Sequence, residues 1–316
     1  MMTPMAPLPS RIVRAAALAG VLAVATAGCD VRLETPPIER RTPTPTVALR
    51  DEAAVREQAV ADAAEPGSVE ATLAPERLAA LGGVYLATPG ATPSPSVSPS
   101  AAPSLADTVE AAITGALDGA DAADQDDPSL AAMLRSIALS HAVIADAADV
   151  AGAAPQERAM PHVGDDAAGP WAPHDGTAVS ASRLAELAVA HDRAAFAYEV
   201  AAAKASGKER ERALARERIH AQRAAAILAL PGVEDDRASL YDVPPAGMDT
   251  PAERAASEIA IETDLAGRYA ALIDGASTAD LAWILDASYD AWMQAASLTG
   301  FDATTIPALP GLAVQP

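Results

Sequence analysis

The sequence predicts an all-helical protein. Half of the 316 residues are hydrophobic but only 3% are aromatic, and alanine supplies most of the apolar count. Alanine favours helices more than any other residue and fills little core volume. Apolar residues also recur at spacings of three and four in most of the chain outside its proline-rich tracts, which is the period of a helix with one buried face. We therefore expect closely packed helices rather than sheets.

Residues 1–28 are predicted to be a signal peptide. Arg11 and Arg14 precede an apolar run over 15–27, which is too short for a membrane-spanning helix. The run ends in Thr26-Ala27-Gly28-Cys29, which resembles the lipobox of bacterial lipoproteins. Cleavage before Cys29 and lipid on its thiol would anchor the mature chain to the extracytoplasmic face of the cell membrane. The alternative is an ordinary secretory signal followed by an incidental cysteine.

The acidic composition limits the expected partners. The net charge is −21, and removal of the positive Arg11 and Arg14 with the signal leaves −23. Such a surface repels nucleic acid and anionic lipid headgroups. We therefore expect no nucleic acid as partner, contact with the membrane through lipid on Cys29, and an unidentified protein or cell-envelope partner. The composition leaves the oligomeric state open.

Proline-rich tracts divide the chain. Residues 29–47 hold Cys29 and a Pro/Thr-rich tether, and residues 88–104 form a Pro/Ser/Thr tract that is predicted to be disordered. Residues 151–177 are predicted to be an irregular linker, and 304–316 a tail. Between them we expect an N-terminal helical region over 48–150 and a second helical region over 178–303.

The N-terminal region contains four candidate helices, over 48–65, 74–86, 105–118 and 129–149. Ser104 is placed to cap the third of these. The fourth carries a long apolar stripe that includes His141. No partner ligand for a metal ion is visible near His141, so we interpret it as a satisfied core histidine.

The C-terminal region contains four further candidates, over 180–206, 209–229, 250–274 and 277–297. The third opens with Thr250-Pro251-Ala252-Glu253, which is a capping box with proline at the first helical position. Gly275 is expected to terminate it.

The connections between these four helices predict their topology. The first and second are joined by a tight turn, as are the third and fourth, so each pair should form an antiparallel hairpin. The link over 232–249 is long enough to exceed the length of a helix. Two hairpins joined by one long crossover are the arrangement of ferritin-like four-helix bundles.

Several short motifs in 180–300 carry a resemblance: Ala194-Ala195-Phe196-Ala197-Tyr198, His220-Ala221-Gln222-Arg223, Leu240-Tyr241-Asp242-Val243-Pro244-Pro245, and Glu262 with Tyr269-Ala270-Ala271-Leu272. On them the segment resembles a ferritin-like domain of unknown function found in lipoproteins and secreted proteins of high-GC Gram-positive bacteria. The resemblance implies the fold, and the family has no established activity to transfer.

One polar cluster is a candidate metal site. Helical spacing places His191, Glu217, His220 and Glu262 on the inward faces of three helices, near their middles. Glu217 and His220 form a Glu-x-x-His pair, by which ferritin-like proteins offer two ligands from one helix. A mixed imidazole and carboxylate set suits a single iron, manganese or zinc ion.

The remaining charged residues of these helices are expected to face solvent. Arg212, Arg216 and Arg223 are assigned to the outer face of the second helix, and Asp286 and Asp290 to the outer face of the fourth. Half of a two-metal site is then missing. The alternative to a bound ion is a buried polar network in which a glutamate pairs with a protonated histidine and tyrosines contribute.

Other signatures of catalysis are lacking from the sequence. It holds no G-x-S-x-G, Walker, dinucleotide-binding or H-E-x-x-H motif. The single cysteine is assigned to lipid. We therefore favour a non-enzymatic, membrane-anchored binding or scaffold module, and the alternative is a metal-binding or redox protein with an incomplete ferritin-like site.

Overall fold

The computed structural model describes residues 43–85, 103–153, 156–162, 169–242 and 247–312. Within these ranges the secondary structure consists of eight α-helices and one short 3-10 helix, with no strand. The all-α prediction is confirmed for this part of the chain. The predicted signal peptide, Cys29, most of its tether and most of the 88–104 tract lie outside the described residues. From Pro43 onward the chain forms one compact unit.

Four helices make up the N-terminal half: α1 Pro45–Ala63, α2 Val69–Ala80, α3 Leu105–Ala123 and α4 Pro128–Ala147. Ser104 caps α3 as expected, in a full capping box with Asp107. Helix α2 begins five residues before its predicted start, because the Ser68 side chain accepts a hydrogen bond from the backbone of Ala71.

The C-terminal half also has four helices: α5 Ala181–Lys204, α6 Gly207–Leu228, α7 Pro251–Ala270 and α8 Thr278–Ala296. The capping box of Thr250 and Glu253 is present at the start of α7. Helix α7 ends at Ala270, four residues before the predicted Asp274, where Ala271 closes its last turn. Gly275 lies in the following turn, at φ +80°.

Ion pairs fix the relative direction of α6 and α7. Glu209 pairs with Arg254, Arg212 with Glu258 and Arg216 with Glu262. The residue numbers rise together along both helices, so α6 and α7 run parallel. The connection between them must therefore return along the full length of the helices, which explains why it is long.

The two halves share one core. Helix α4 packs against α3 on one side and against α8 on the other, and apolar residues of both halves form one continuous cluster. The C-terminal stretch also binds α4, because Ser136 donates a hydrogen bond to the carbonyl oxygen of Pro310 and Ser140 to that of Pro307. The predicted tail is thus packed up to Leu312.

Among the described residues, α4 alone is long and apolar enough to cross a membrane by length and composition. Most of it is buried inside the body, as in a core helix, so this property is weak evidence for a span.

Candidate functional site

A chain of hydrogen bonds runs through the core between α5, α6 and α7. His191 and His220 face one another with their Nδ1 atoms 3.0 Å apart. The Nε2 atom of His191 lies 2.5 Å from the hydroxyl oxygen of Tyr269, and the Nε2 atom of His220 lies 3.1 Å from Glu262 Oε1. All four residues are buried. Three of the four predicted site residues, His191, His220 and Glu262, therefore meet.

Arginines complete this group. Arg216 donates to both oxygens of Glu262, at 2.7 and 2.6 Å, and to Asp290 at 2.6 Å. Arg223 donates to the same oxygen of Asp290 at 3.0 Å. We call this group the C-terminal cluster, and it comprises His191, Tyr198, Arg216, His220, Arg223, Glu262, Tyr269 and Asp290.

The cluster has defined protonation states. Burial works to raise the pKa of Glu262, but the charge of Arg216 outweighs it and holds that pKa far below its usual range. Glu262 is therefore ionised and also accepts a hydrogen bond from Tyr198. Burial lowers the pKa of both histidines and the arginines lower it further, and together they outweigh the charge of Glu262, which raises it. Burial raises the pKa of Tyr269 to about 12, so its hydroxyl stays protonated.

These states fix the direction of each hydrogen bond. Because Glu262 is ionised, the neutral His220 donates its Nε2–H to it and keeps a lone pair on Nδ1. His191 then donates its Nδ1–H to His220, and Tyr269 donates its O–H to His191 Nε2. Each ring nitrogen of the two histidines then has one partner.

Glu217, the fourth predicted site residue, does not join this group. It is half-buried, and its pKa is raised by burial and by the nearby charge of Glu199. The inward face of α6 is centred to one side of Glu217, because the buried positions of this helix are Ala213, Arg216, His220, Arg223, Ala224, Ala226 and Ile227. The predicted Glu-x-x-His pair is therefore not formed.

The solvent-facing assignments of Arg216, Arg223 and Asp290 are wrong. Arg216 and Arg223 are buried and hold the carboxylates of the C-terminal cluster. Asp290 is buried because residues 156–162 cover α8. Within this segment, Arg158 donates a hydrogen bond to Asp290 at 2.9 Å. In the same segment the backbone amide of Ala159 donates to Asp286, which is half-buried. Arg212, a third of which is exposed, lies 2.7 Å from Glu258.

A second buried polar group lies in the N-terminal half. The two ring nitrogens of His141 lie 2.7 Å from Glu57 and 2.8 Å from Glu70. Arg77 also binds both glutamates, and donates to Ser140 at 3.1 Å. We call Glu57, Glu70, Arg77 and His141 the N-terminal cluster. His141 is a satisfied core histidine, as predicted, and its partners are these two glutamates.

His141 must be positively charged in this arrangement. Burial raises the pKa of each glutamate, but the charges of His141 and Arg77 outweigh it, and both glutamates stay ionised. A neutral imidazole has one N–H and could not donate to two carboxylates. Burial and Arg77 lower the pKa of His141, and the two carboxylates reverse this and raise it. Two negative and two positive charges then balance.

The charged groups of both clusters are paired within them, although Arg223 Nε is buried without a hydrogen-bond partner, and this pairing limits their chemistry. Among the described residues, no group of three or more histidine, cysteine, aspartate or glutamate side chains is arranged to hold a metal ion. Glu262 already binds two arginine nitrogens, and the field that disfavours a proton on His191 also disfavours a metal cation there. The clusters act as cross-links between helices.

Comparisons with protein-family models, with curated proteins and with solved structures find no match to this chain.

Proposed function

We propose that this protein is a lipid-anchored, extracytoplasmic binding or scaffold module rather than an enzyme. The observation that carries the proposal is that the charged side chains of the two buried clusters pair with one another. The histidines and carboxylates that resemble a reaction centre are held by arginines and tyrosines inside the core, which is the use that a rigid scaffold makes of them. The predicted lipobox at Cys29 supports the location at the membrane.

The same proposal includes a ferritin-like arrangement of α5–α8. In support of it, α5 and α6 form one hairpin, α7 and α8 form another, and the parallel course of α6 and α7 demands a long crossover. This is the topology of ferritin-like bundles. Arginines occupy the core where the metal-binding members of that class place further ligands.

The anchor is tested by the replacement Cys29→Ser in the full chain. The expected result is loss of the protein from the membrane fraction and its appearance in the medium or in the precursor form. The body should keep its helical circular dichroism spectrum in both proteins. Retention of the variant on washed membranes, with the signal removed, would show that another part of the chain holds the membrane.

A single iron, manganese or zinc ion at His191, His220 and Glu262 is the weaker proposal. It requires Arg216 to leave Glu262, and it places a cation beside two guanidinium groups. Elemental analysis after folding in the presence of each metal distinguishes the two proposals. We expect under about 0.1 equivalent, well short of the full occupancy that a site binding tightly from excess metal would give.

A further inference from the structure

A groove runs along one side of α3, outside both buried clusters. It consists of two adjoining cavities of about 310 and 170 Å³, which share Ile113, Leu117 and Gln156 in their lining. We call it the α3 groove. The residues of α3 that line it form two rows at helical spacing, an apolar row of Val109, Ile113 and Leu117 and a polar row of Glu110, Thr114 and Asp118.

Small residues on α4 leave the space for this groove. The wall opposite α3 includes Ala138, Ala142 and Ala145, which lie on one face of α4. Alanine fills little volume, so a gap remains where larger side chains would meet α3. Leu285 and Tyr289 of α8 also line the smaller cavity. The groove is therefore lined by apolar side chains from three helices.

Hydrogen bonds and a ring contact fix the walls of the α3 groove relative to one another. Tyr289 on α8 donates to Asp146 on α4, and Asp146 also accepts a hydrogen bond from the backbone of Gln156. The guanidinium carbon of Arg158 lies 5.6 Å from the centre of the Tyr289 ring. These contacts join α4, α8 and the segment 156–162. The groove is thus formed before any ligand binds, which lowers the entropy cost of binding.

The rim of the α3 groove carries negative charge. Glu110, Asp118 and Glu157 are exposed there, and none of them has an ion-pair partner among the described residues. Residues 43–153 contain 16 acidic and 4 basic side chains. Within the described structure, each of those four arginines already pairs with another carboxylate. The rim therefore holds uncompensated negative charge beside an apolar floor.

Leu117 stands where the two cavities meet. Its side chain is 38% exposed, and it is one of five large apolar residues in the described ranges that are open to solvent to this extent. Exposed apolar surface with a polar rim is typical of a protein interaction site. Because Leu117 lines both cavities, a ligand that fills either of them covers it.

We propose that the α3 groove binds a basic amphipathic helix of a partner protein. Apolar side chains of that helix enter the two cavities, and its lysines or arginines face the carboxylates of the rim. The proposal rests on the proposed function, because it names the surface and the partner chemistry of the binding module.

The shape and charge of the α3 groove both favour this partner. The apolar row from Val109 to Leu117 extends over two helical turns, about 12 Å. Side chains one or two turns apart on a second helix can reach both cavities, as in other complexes in which an amphipathic helix lies in a groove. Lipids with anionic headgroups are repelled by the rim, whereas a basic helix is attracted by it.

The first test is calorimetric titration of residues 29–316 carrying Cys29→Ser, so that lipid does not enter the measurement. The probe is a synthetic helix of about 18 residues of leucine, lysine and alanine with all leucines in one stripe. A control peptide of the same composition has its leucines spread around the helix. At about 150 mM salt, which screens distant charges, we expect one site per chain and at least tenfold tighter binding of the striped peptide. Equal affinities, or no binding of the striped peptide, would overturn the proposal.

A substitution at Leu117 tests the apolar part of the α3 groove. Leu117→Ser should weaken binding of the striped peptide at least fivefold, because it removes the apolar contact that both cavities share. Val55→Ser is the matched control, since it removes an exposed apolar side chain from α1. We expect it to change the affinity by less than twofold. Equal effects of the two substitutions would place the peptide elsewhere on the protein.

Paired substitutions test the rim. Glu110→Gln with Asp118→Asn should weaken binding of the striped peptide at least fivefold and make it less sensitive to salt. Glu65→Gln with Glu76→Gln removes the same charge from exposed positions outside the groove and should have less than a twofold effect. If both pairs weaken binding equally, the overall acidity of the chain attracts the peptide and the proposal is wrong.

Methyl chemical shifts of the wild-type sequence locate the peptide without these substitutions. We expect the largest changes at Val109, Ile113 and Leu117, and changes confined to other helices would contradict the proposal. Sedimentation of the chain alone tests a second copy as occupant, and a dimer that Leu117→Ser dissociates would assign the groove to self-association instead. None of these measurements depends on the membrane anchor. Their failure therefore leaves the fractionation result for Cys29→Ser standing, and failure of the anchor leaves the groove proposal intact.

Discussion

Arg216 joins three helices with one side chain. From α6 it binds Glu262 on α7 through two of its guanidinium nitrogens and Asp290 on α8 through the third nitrogen. Burial works to lower the pKa of Arg216, and the two carboxylates reverse this and raise it well above its usual range. The planar guanidinium group can donate hydrogen bonds to two carboxylates at fixed angles, and an ammonium group lacks this directionality. It is therefore the central residue of the C-terminal cluster.

Removal of this arginine should be among the most damaging single changes. Arg216→Met keeps the aliphatic volume but leaves Glu262 with histidine and tyrosine alone, and Asp290 with fewer cations. Breaking a buried ion pair from one side costs about 3–5 kcal/mol. Urea unfolding at pH 7.5 measures the loss. Arg218→Met on the exposed face of the same helix is the matched control, with an expected cost below about 0.5 kcal/mol. Equal costs for the two variants would mean that the cluster does not stabilise the fold.

The arginines could have been anticipated from spacing. Arg216 lies four residues before His220 and Arg223 three residues after it, and such positions share one helix face. The prediction instead followed the Glu-x-x-His pair and centred the inward face on Glu217. Glu70 was missed for another reason, because the start of α2 was placed after it. The burial of Asp290 depends on residues 156–162, which no periodicity within α8 can reveal.

At the scale of helices, local sequence carried most of the information. Helix interiors follow from alanine content and apolar spacing, and the starts of α3 and α7 follow from their capping boxes. The helix ends were less predictable. Helix α3 continues to Ala123, five residues beyond the predicted end, because its last residues are buried against other elements. Tertiary packing of this kind is set by parts of the chain distant in sequence.

The caps differ in strength, and the difference is testable. Thr250 accepts a hydrogen bond from the backbone of Glu253, and Glu253 reciprocates, whereas Ser206 at the start of α6 makes no side-chain cap bond. Thr250→Ala should therefore cost about 1 kcal/mol, and Ser206→Ala only a few tenths. Denaturant midpoints at constant m-value give both numbers. A cost for Ser206→Ala as large as that for Thr250→Ala would contradict the assigned geometry.

The C-terminal stretch contains a position that only glycine fits. Gly311 has φ +80°, and a Cβ atom there would lie 2.1 Å from the carbonyl oxygen of Ala270 at the end of α7. Gly300 also has a positive φ, of +94°, but nothing lies within 4 Å of a Cβ built on it. Substitutions at Gly300 and Gly311 therefore separate the cost of backbone strain from the cost of steric contact.

We expect Gly300→Ala to cost about 1–2 kcal/mol from the left-handed backbone alone. Gly311→Ala should cost more than that, because the stretch must move away from α7 and weaken the hydrogen bonds that Ser136 and Ser140 give to it. Thermal unfolding ranks the two variants, and exchange of the Leu312 amide reports the local displacement. Equal effects would show that the stretch moves without cost.

At the scale of the whole molecule, the two halves repeat one plan. Among the residues that the structure describes, each half has four helices, a long connection between the second and third, and one buried cluster in which arginine and histidine meet carboxylates. The sequence indicated the helices of both halves, and it left open whether α4 would pack against the C-terminal helices or against its N-terminal neighbours; the structure shows both contacts. The contact with α8 relies on the near-complete burial of α4, whose buried residues other than Arg135 and His141 are apolar or small.

The shared core bears on whether residues 178–303, the predicted ferritin-like region, can fold without the N-terminal half. In the intact body, Leu285 and Tyr289 of α8 face Ala138, Leu139 and Ala142 of α4 across a small apolar cavity. A fragment of 178–303 exposes this face of α8 to water. It also loses the covering segment that supplies Arg158 to Asp290.

We therefore expect the 178–303 fragment to be helical but less stable than residues 43–316, with a lower urea midpoint at equal concentration. Its exposed α8 face should cause self-association, which sedimentation measures as a rise in mean mass with concentration. Leu285→Gln provides the control, because it should reduce association of the fragment while destabilising the intact body. If the fragment is monomeric and unfolds at the same urea concentration as the body, then α4 adds nothing to α8, and the two halves are separate folding units that merely touch.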